Sequence, residues 1–138
     1  MGSGSDETTD DFVIKHHAEL SSRITTHGES HPAVAEMYGI LGLFHHHVLS
    51  DQLAALNYHR QALQTLRQAQ LSHHSCQLEM AITLTDIGNV YRSSGDDDRA
   101  KSSYQEALSI FSRCTPPLSD CHPALNAARR GILKLSRG

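Results

Sequence analysis

Between positions 81 and 114, small residues recur at fixed distances from tyrosines, and few chain arrangements need them there. The frame reads Leu84-x2-Ile87-Gly88-x2-Tyr91, then Gly95, then Ala100-x3-Tyr104-x2-Ala107-Leu108. The spacing is helical on both sides of Gly95, so it predicts two helices joined by a tight turn. Gly88 and Ala100 are small where the two helices cross at close range. Tyr91 and Tyr104 fill the space beside them. Ala107 leaves room for a further helix, and Gly95 lets the chain reverse. Such a hairpin cannot bury its apolar face alone, so it calls for neighbours of the same kind.

The rest of the chain is punctuated to match. Its four prolines are Pro32, Pro116, Pro117 and Pro123, and the stretches between them lack strand-like alternation. Further breaks fall around Ser50-Asp51, at 71–75 and at 93–97. We therefore expect an all-α fold of about six helices, near 11–25, 32–48, 51–70, 76–93, 96–113 and 122–136. Pro32 and Pro123 then sit in first turns, where a missing N–H costs nothing. Asp96, Asp97 and Asp98 open the fifth helix, where carboxylates suit the helix dipole and cap free amides. The same acidic run lacks the alternating ligands and closing Glu of an EF-hand.

An earlier copy of the hairpin is visible. Tyr38-x2-Leu41-Gly42 matches its first helix, with His45 where Tyr91 stands, and Ala62-Leu63 matches Ala107-Leu108. The offset is 46 from Gly42 to Gly88 but 45 from Ala62 to Ala107. One residue has therefore shifted, near His47 to Ser50. Either Ala55 with His59 or Ala54 with Tyr58 stands opposite Ala100 and Tyr104, and the sequence leaves both registers open.

The later frame resembles the tetratricopeptide repeat (TPR) at nearly every position that defines it. The offsets exceed the about 34 residues of an ordinary TPR. His31-Pro32-Ala33-Val34-Ala35 and His122-Pro123-Ala124-Leu125 look like repeat starts of the long-repeat type, similar to the TPRs of kinesin light chain. The middle repeat departs from it, with His73-His74-Ser75-Cys76 in place of His-Pro. The resemblance spans about 31–138 and implies an antiparallel helix-hairpin solenoid of about two full repeats plus flanking helices. Residues 11–28 would form a preceding or capping helix, 31–72 the first repeat, 76–114 the second, and 122–138 a C-terminal helix. In that last helix, Gly131 and the stripe Leu125, Ala128, Ile132 and Leu135 fit a final packing face. Residues 1–10 read as a disordered acidic start. Its Met1-Gly2-Ser3-Gly4-Ser5 looks engineered, which implies a longer parent protein.

The resemblance also implies a function. TPR modules bind a partner peptide or protein on the concave surface lined by the first helix of each repeat, at motif positions 2, 5, 9 and 12. Carried onto this chain, these are Glu36, Gly39, Leu43 and His46 in the first copy, and Ile82, Thr85, Asn89 and Arg92 in the second. In the last helix they are Ala127, Arg130, Lys134 and Arg137. Asn after the glycine is a common peptide-backbone clamp in TPR proteins, since its amide both donates and accepts. The plainer reading of Asn89 is a solvated helix residue. Arg130, Lys134 and Arg137 share one helical stripe. Beside Arg92 they would form a basic wall suited to an acidic peptide or a C-terminal carboxylate. The plainer reading is a solvated terminal face. The binding groove is thus expected at Thr85, Asn89, Arg92, Arg130, Lys134 and Arg137, in a scaffold or adaptor protein. The rival is a structural module that forms homo-oligomers by stacking repeats.

Composition narrows the other classes. The net charge is −3 and aromatics are 5% with no Trp, so no nucleic-acid surface is expected. No apolar stretch approaches the length of a membrane span. Cys76, Cys114 and Cys121 form no CxxC and no secreted framework, so we expect reduced thiols in a cytoplasmic protein. A Cys114–Cys121 bridge across the Pro116-Pro117 loop is the alternative. There are eleven histidines, seven of them clustered at 16–17, 45–47 and 73–74. Adjacent helical residues point about 100° apart, and HExxH is absent, so neither metal nor other cofactor is expected. With no nucleophile–base pair, phosphate loop or dense carboxylate site, an enzyme is not expected either.

Overall fold

A computed structural model describes the backbone of residues 4–72 and 75–137 and the side chains of 9–72 and 75–136. The described residues form six α-helices and no strand: α1 (Gly4–His27), α2 (Pro32–His47), α3 (Gln52–Leu71), α4 (Gln77–Ser93), α5 (Asp97–Ser112) and α6 (Pro123–Arg137). The ends of α2 to α6 fall within two residues of those expected. The difference is α1, which starts at Gly4, so the expected disordered start is helical from there.

The helix starts explain the repeated His-Pro. At α2 the His31 ring Nδ1 accepts the amide of Ala33 at 3.0 Å, and at α6 His122 Nδ1 accepts that of Ala124 at 3.2 Å. Each His therefore satisfies a free N–H while the following Pro needs none. Asp51 and Asp96 cap α3 and α5 through the amides of Ala54 and Arg99. α4, which lacks the His-Pro, starts at Cys76 with no side-chain cap.

Neighbouring helices pack as α2 on α3 and α4 on α5, with α1 and α6 against the two ends. The core runs along the stack in three parts. Leu20 of α1 meets Val34, Met37 and Leu41 of α2. Ala35 meets Ala62, Leu66, Ala69 and Cys76. Leu63 joins Leu84, Ile87, Ala107, Phe111 and Ala128, which links α3 through α6. Alanines fill many contact points because helix backbones approach closely there.

The structure settles the register. Ala55 and His59 are fully buried and Tyr58 is half-buried. The extra residue lies in the turn. Four residues, 48–51, join α2 to α3, while 94–96 join α4 to α5 around Gly95, whose φ is 83°. In the longer turn Ser50 takes the positive φ, 52°.

Candidate functional site

α2 and α4, the first helices of the two hairpins, are neighbours that touch at only a few points. An open groove of about 530 Å³ runs between them. From α2 it takes Glu36, Gly39 and Leu43, and from α4 Glu79, Ile82 and Asp86. Both series step by three or four residues, so each is one face of a helix. Leu43 and Ile82 keep 40% and 38% of their surface exposed. A Cβ added at Gly39 meets nothing within 4 Å, so the α2 backbone lies open there. The groove can therefore bury an apolar group and hold polar ones at its acids.

Its lining holds three acids and no base. Arg23 of α1 reaches Glu36 at 3.5 Å while also bonding Glu19 at 3.0 Å and the Ala33 carbonyl at 2.9 Å. Glu36 is thus balanced from outside the groove. Glu79 and Asp86 have no ion-pair or side-chain hydrogen-bond partner among the described residues. Burial pushes the Asp86 carboxyl up to about 7, because an apolar setting disfavours the charged form.

The expected groove residues divide. Glu36, Gly39, Leu43 and Ile82 line the groove. Thr85 does not reach a ligand surface: it is 4% exposed and its hydroxyl donates to the Ala81 carbonyl at 2.9 Å. The reason is that α4 packs against α3, α5 and α6 as well as α2, which leaves it one narrow open strip. Asn89 and Arg92 are half-buried and engaged internally. The Tyr104 hydroxyl donates to Asn89 Oδ1 and accepts from Arg92 Nε at 3.1 Å, and Arg92 Nη2 reaches Asn89 Oδ1 at 3.5 Å. The expected clamp oxygen is thereby occupied. His46 is buried, with Nε2 at 3.0 Å from Ser93 Oγ. Burial first, then the charges of His47 and Arg92, lowers its pKa.

Ala127 is half-buried on α6. Arg130 and Lys134 are exposed one turn apart on that helix, without ion pair or hydrogen bond among the described residues, and outside the α2–α4 groove. Arg137 ends α6, and its side chain lies outside the described residues. Asp86 was not among the expected positions. Its signal was the helical series Glu79, Ile82, Asp86, which only the neighbouring helices identify as the open strip.

His16, His17 and His45 join an aromatic seam. Phe12 stacks on His16 at 3.8 Å and on Phe44 at 4.0 Å. His45 stacks on Tyr58 at 5.1 Å, and the Tyr58 hydroxyl lies 3.1 Å from His17 Nε2. His59 is fully buried, and neither ring nitrogen has a partner among the described residues. Its pKa falls to about 4, through burial first and then the nearby His46 and His47. His73 and His74 lie outside the described residues. Among the described residues no three His, Cys, Asp or Glu side chains are grouped to hold a metal ion. No described helix is long and apolar enough to cross a membrane. The three cysteines are free thiols. The chain matches no protein-family model and no curated protein, so a functional reading rests on the residues themselves.

Proposed function

We propose that this chain is a protein-interaction module of TPR type that binds a partner peptide along the groove between α2 and α4. One observation carries the reading: the first helices of the two hairpins leave an open groove of about 530 Å³, where Leu43 and Ile82 remain exposed beside the bare backbone at Gly39. Exposed apolar side chains in a concave, acid-rimmed groove lose water contact on binding an extended segment, at roughly 25 cal/mol per Å² buried. The repeated small-residue frame and the capped His-Pro starts support the TPR assignment. Free thiols at Cys76, Cys114 and Cys121 support a reducing, cytoplasmic setting.

Gly39→Phe tests this. The new ring enters open space from a helix interior, where glycine is itself a weak choice. A phage-displayed library of random heptapeptides is panned in parallel on the wild-type chain and on this variant. We expect peptides enriched on the wild type only. Equal enrichment on both proteins, or none on either, would sink the groove.

A further inference from the structure

The chemistry of the lining narrows the ligand further than its shape does, provided that a peptide binds in the groove as proposed. Every charged side chain in the lining is an acid: Glu36, Glu79 and Asp86. Glu36 is already held by Arg23. Glu79 and Asp86 are the unbalanced pair, and both stand on α4. The cation nearest the far end of that helix, Arg92, is turned to Tyr104 and Asn89. Ile82 lies between the two acids on the same face, and Leu43 lines the groove from α2.

We infer that the groove selects a basic, aliphatic peptide, whose Lys or Arg side chains seat on Asp86 and Glu79 while an apolar side chain between them packs on Ile82 and Leu43. The spacing fixes a register. Glu79 and Asp86 lie seven positions apart on the helix, a rise of about 10 Å. One turn of polyproline-II chain covers about 9 Å and brings every third side chain to the same face. The favoured ligand therefore carries bases three residues apart, and an aliphatic residue between them turns about 120° aside, towards Leu43 on the α2 wall. This reverses the acidic ligand that the Arg130–Lys134 stripe suggested. That stripe is exposed on α6 and lies outside the groove.

The state of Asp86 supports the assignment. Its carboxyl is half-buried on the groove wall with no counter-charge, and the cause of its raised pKa is burial alone. A ligand ammonium or guanidinium supplies the missing partner, in a setting where charge-assisted bonds are stronger than in water.

The peptides enriched in the panning experiment give the test. We expect Lys or Arg at two positions three apart, flanking Leu, Ile or Val. A fluorescein-labelled peptide of that consensus, followed by anisotropy, should lose about tenfold in affinity on Asp86→Asn and on Glu79→Gln. Glu106→Gln, on the outer face of α5, should leave it unchanged and so control for net charge. Circular dichroism checks that each variant keeps its helices. Groove-dependent peptides that are acidic, or neutral with no basic residue, would overturn this inference and leave the groove reading intact. Equal losses from Glu106→Gln would reduce the effect to general charge and overturn it as well. Enrichment that Gly39→Phe does not remove would overturn both.

Discussion

The two hairpins solve one packing problem with different chemistry. In each, a glycine on the first helix lets the second helix lay a ring against its backbone. A Cβ at Gly42 would sit 2.7 Å from the His59 ring, and one at Gly88 would sit 2.7 Å from the Tyr104 ring. Both rings are fully buried. The polar atoms part company there. The Tyr104 hydroxyl projects beyond the ring and closes a network with Asn89 and Arg92. The His59 nitrogens lie within the ring and find no partner among the described residues. The position after each glycine completes the contrast: Asn89 serves the tyrosine, while its counterpart Leu43 is left to line the groove. The ring geometry is thus common to both repeats. Whether the ring's polar atoms are satisfied depends on how far they reach.

Tyr104→Ala breaks the better-satisfied hairpin, and we expect the largest effect there. A buried aromatic is truncated and two polar partners are stranded, so unfolding in urea should show a loss of about 4 kcal/mol. His59→Ala should cost clearly less, because it also removes two unpartnered nitrogens. Equal losses would mean the polar network around Tyr104 adds nothing.

Acid separates the hairpins next. The folded pKa of His59 is about 4, below its unfolded value of 6.5. The unfolded chain therefore takes the proton first. His59's contribution is fully present above pH 6.5 and is lost as pH falls towards 4, on the order of 3 kcal/mol in all. Asp86 runs the other way: its folded pKa is raised from 3.8 to about 7, so it favours the fold below about pH 4 and loses that as pH rises towards 7. The two offset each other across one window. Wild-type stability should therefore fall only modestly from pH 6.5 to pH 4, with the lowered pKa of His46 adding to the loss. Asp86→Asn should expose a steep acid loss, and His59→Phe should make the protein more stable on acidification. A wild-type profile matched by both variants would sink this account.

Glycine substitutions give a smaller effect. Tyr104 is clasped by two glycines, because a Cβ at Gly131 of α6 would come within 2.4 Å of its ring. His59 meets a glycine on one side only among the described residues. The Tyr104 ring therefore has less room to yield. We expect Gly88→Ala to cost about 2 kcal/mol and Gly42→Ala about 1, both by thermal melting. The reverse order would show that α6 does not fix the ring.

The smallest effect is the most diagnostic. His59→Phe replaces two unpartnered nitrogens by carbon in a pocket whose counterpart holds a tyrosine ring. Stability at pH 7 should stay within about 1 kcal/mol of wild type or rise. A loss well beyond that, in the same urea titration, would mean His59 has a partner that its surroundings do not reveal.

Local chemistry made much of the fold readable. Prolines, glycines and capping acids act within a few residues of their own position, so helix ends from Pro32 onward could be placed. The Gly88, Ala100 and Tyr104 pattern could be read because a close helix crossing admits only small residues beside a large ring. The start of α1 was not, since nothing local separates a charged helix from a charged coil. The groove was half legible. Glu36, Gly39, Leu43 and Ile82 came from the TPR resemblance, through its motif positions, but Thr85 and Asp86 exchange roles because α4 packs against α3, α5 and α6 as well.

By itself the sequence determined which segments are helical, where they pair and which small residues sit at the crossings, since each of those depends on spacing along the chain. The tertiary structure alone decided that His59, not Tyr58, enters the first hairpin, that Asn89 and Arg92 are occupied by Tyr104, and that Asp86 faces an acidic groove without a counter-charge. Those outcomes depend on which neighbour arrives from a distant part of the chain, and burial and pairing are properties of that neighbour as much as of the residue.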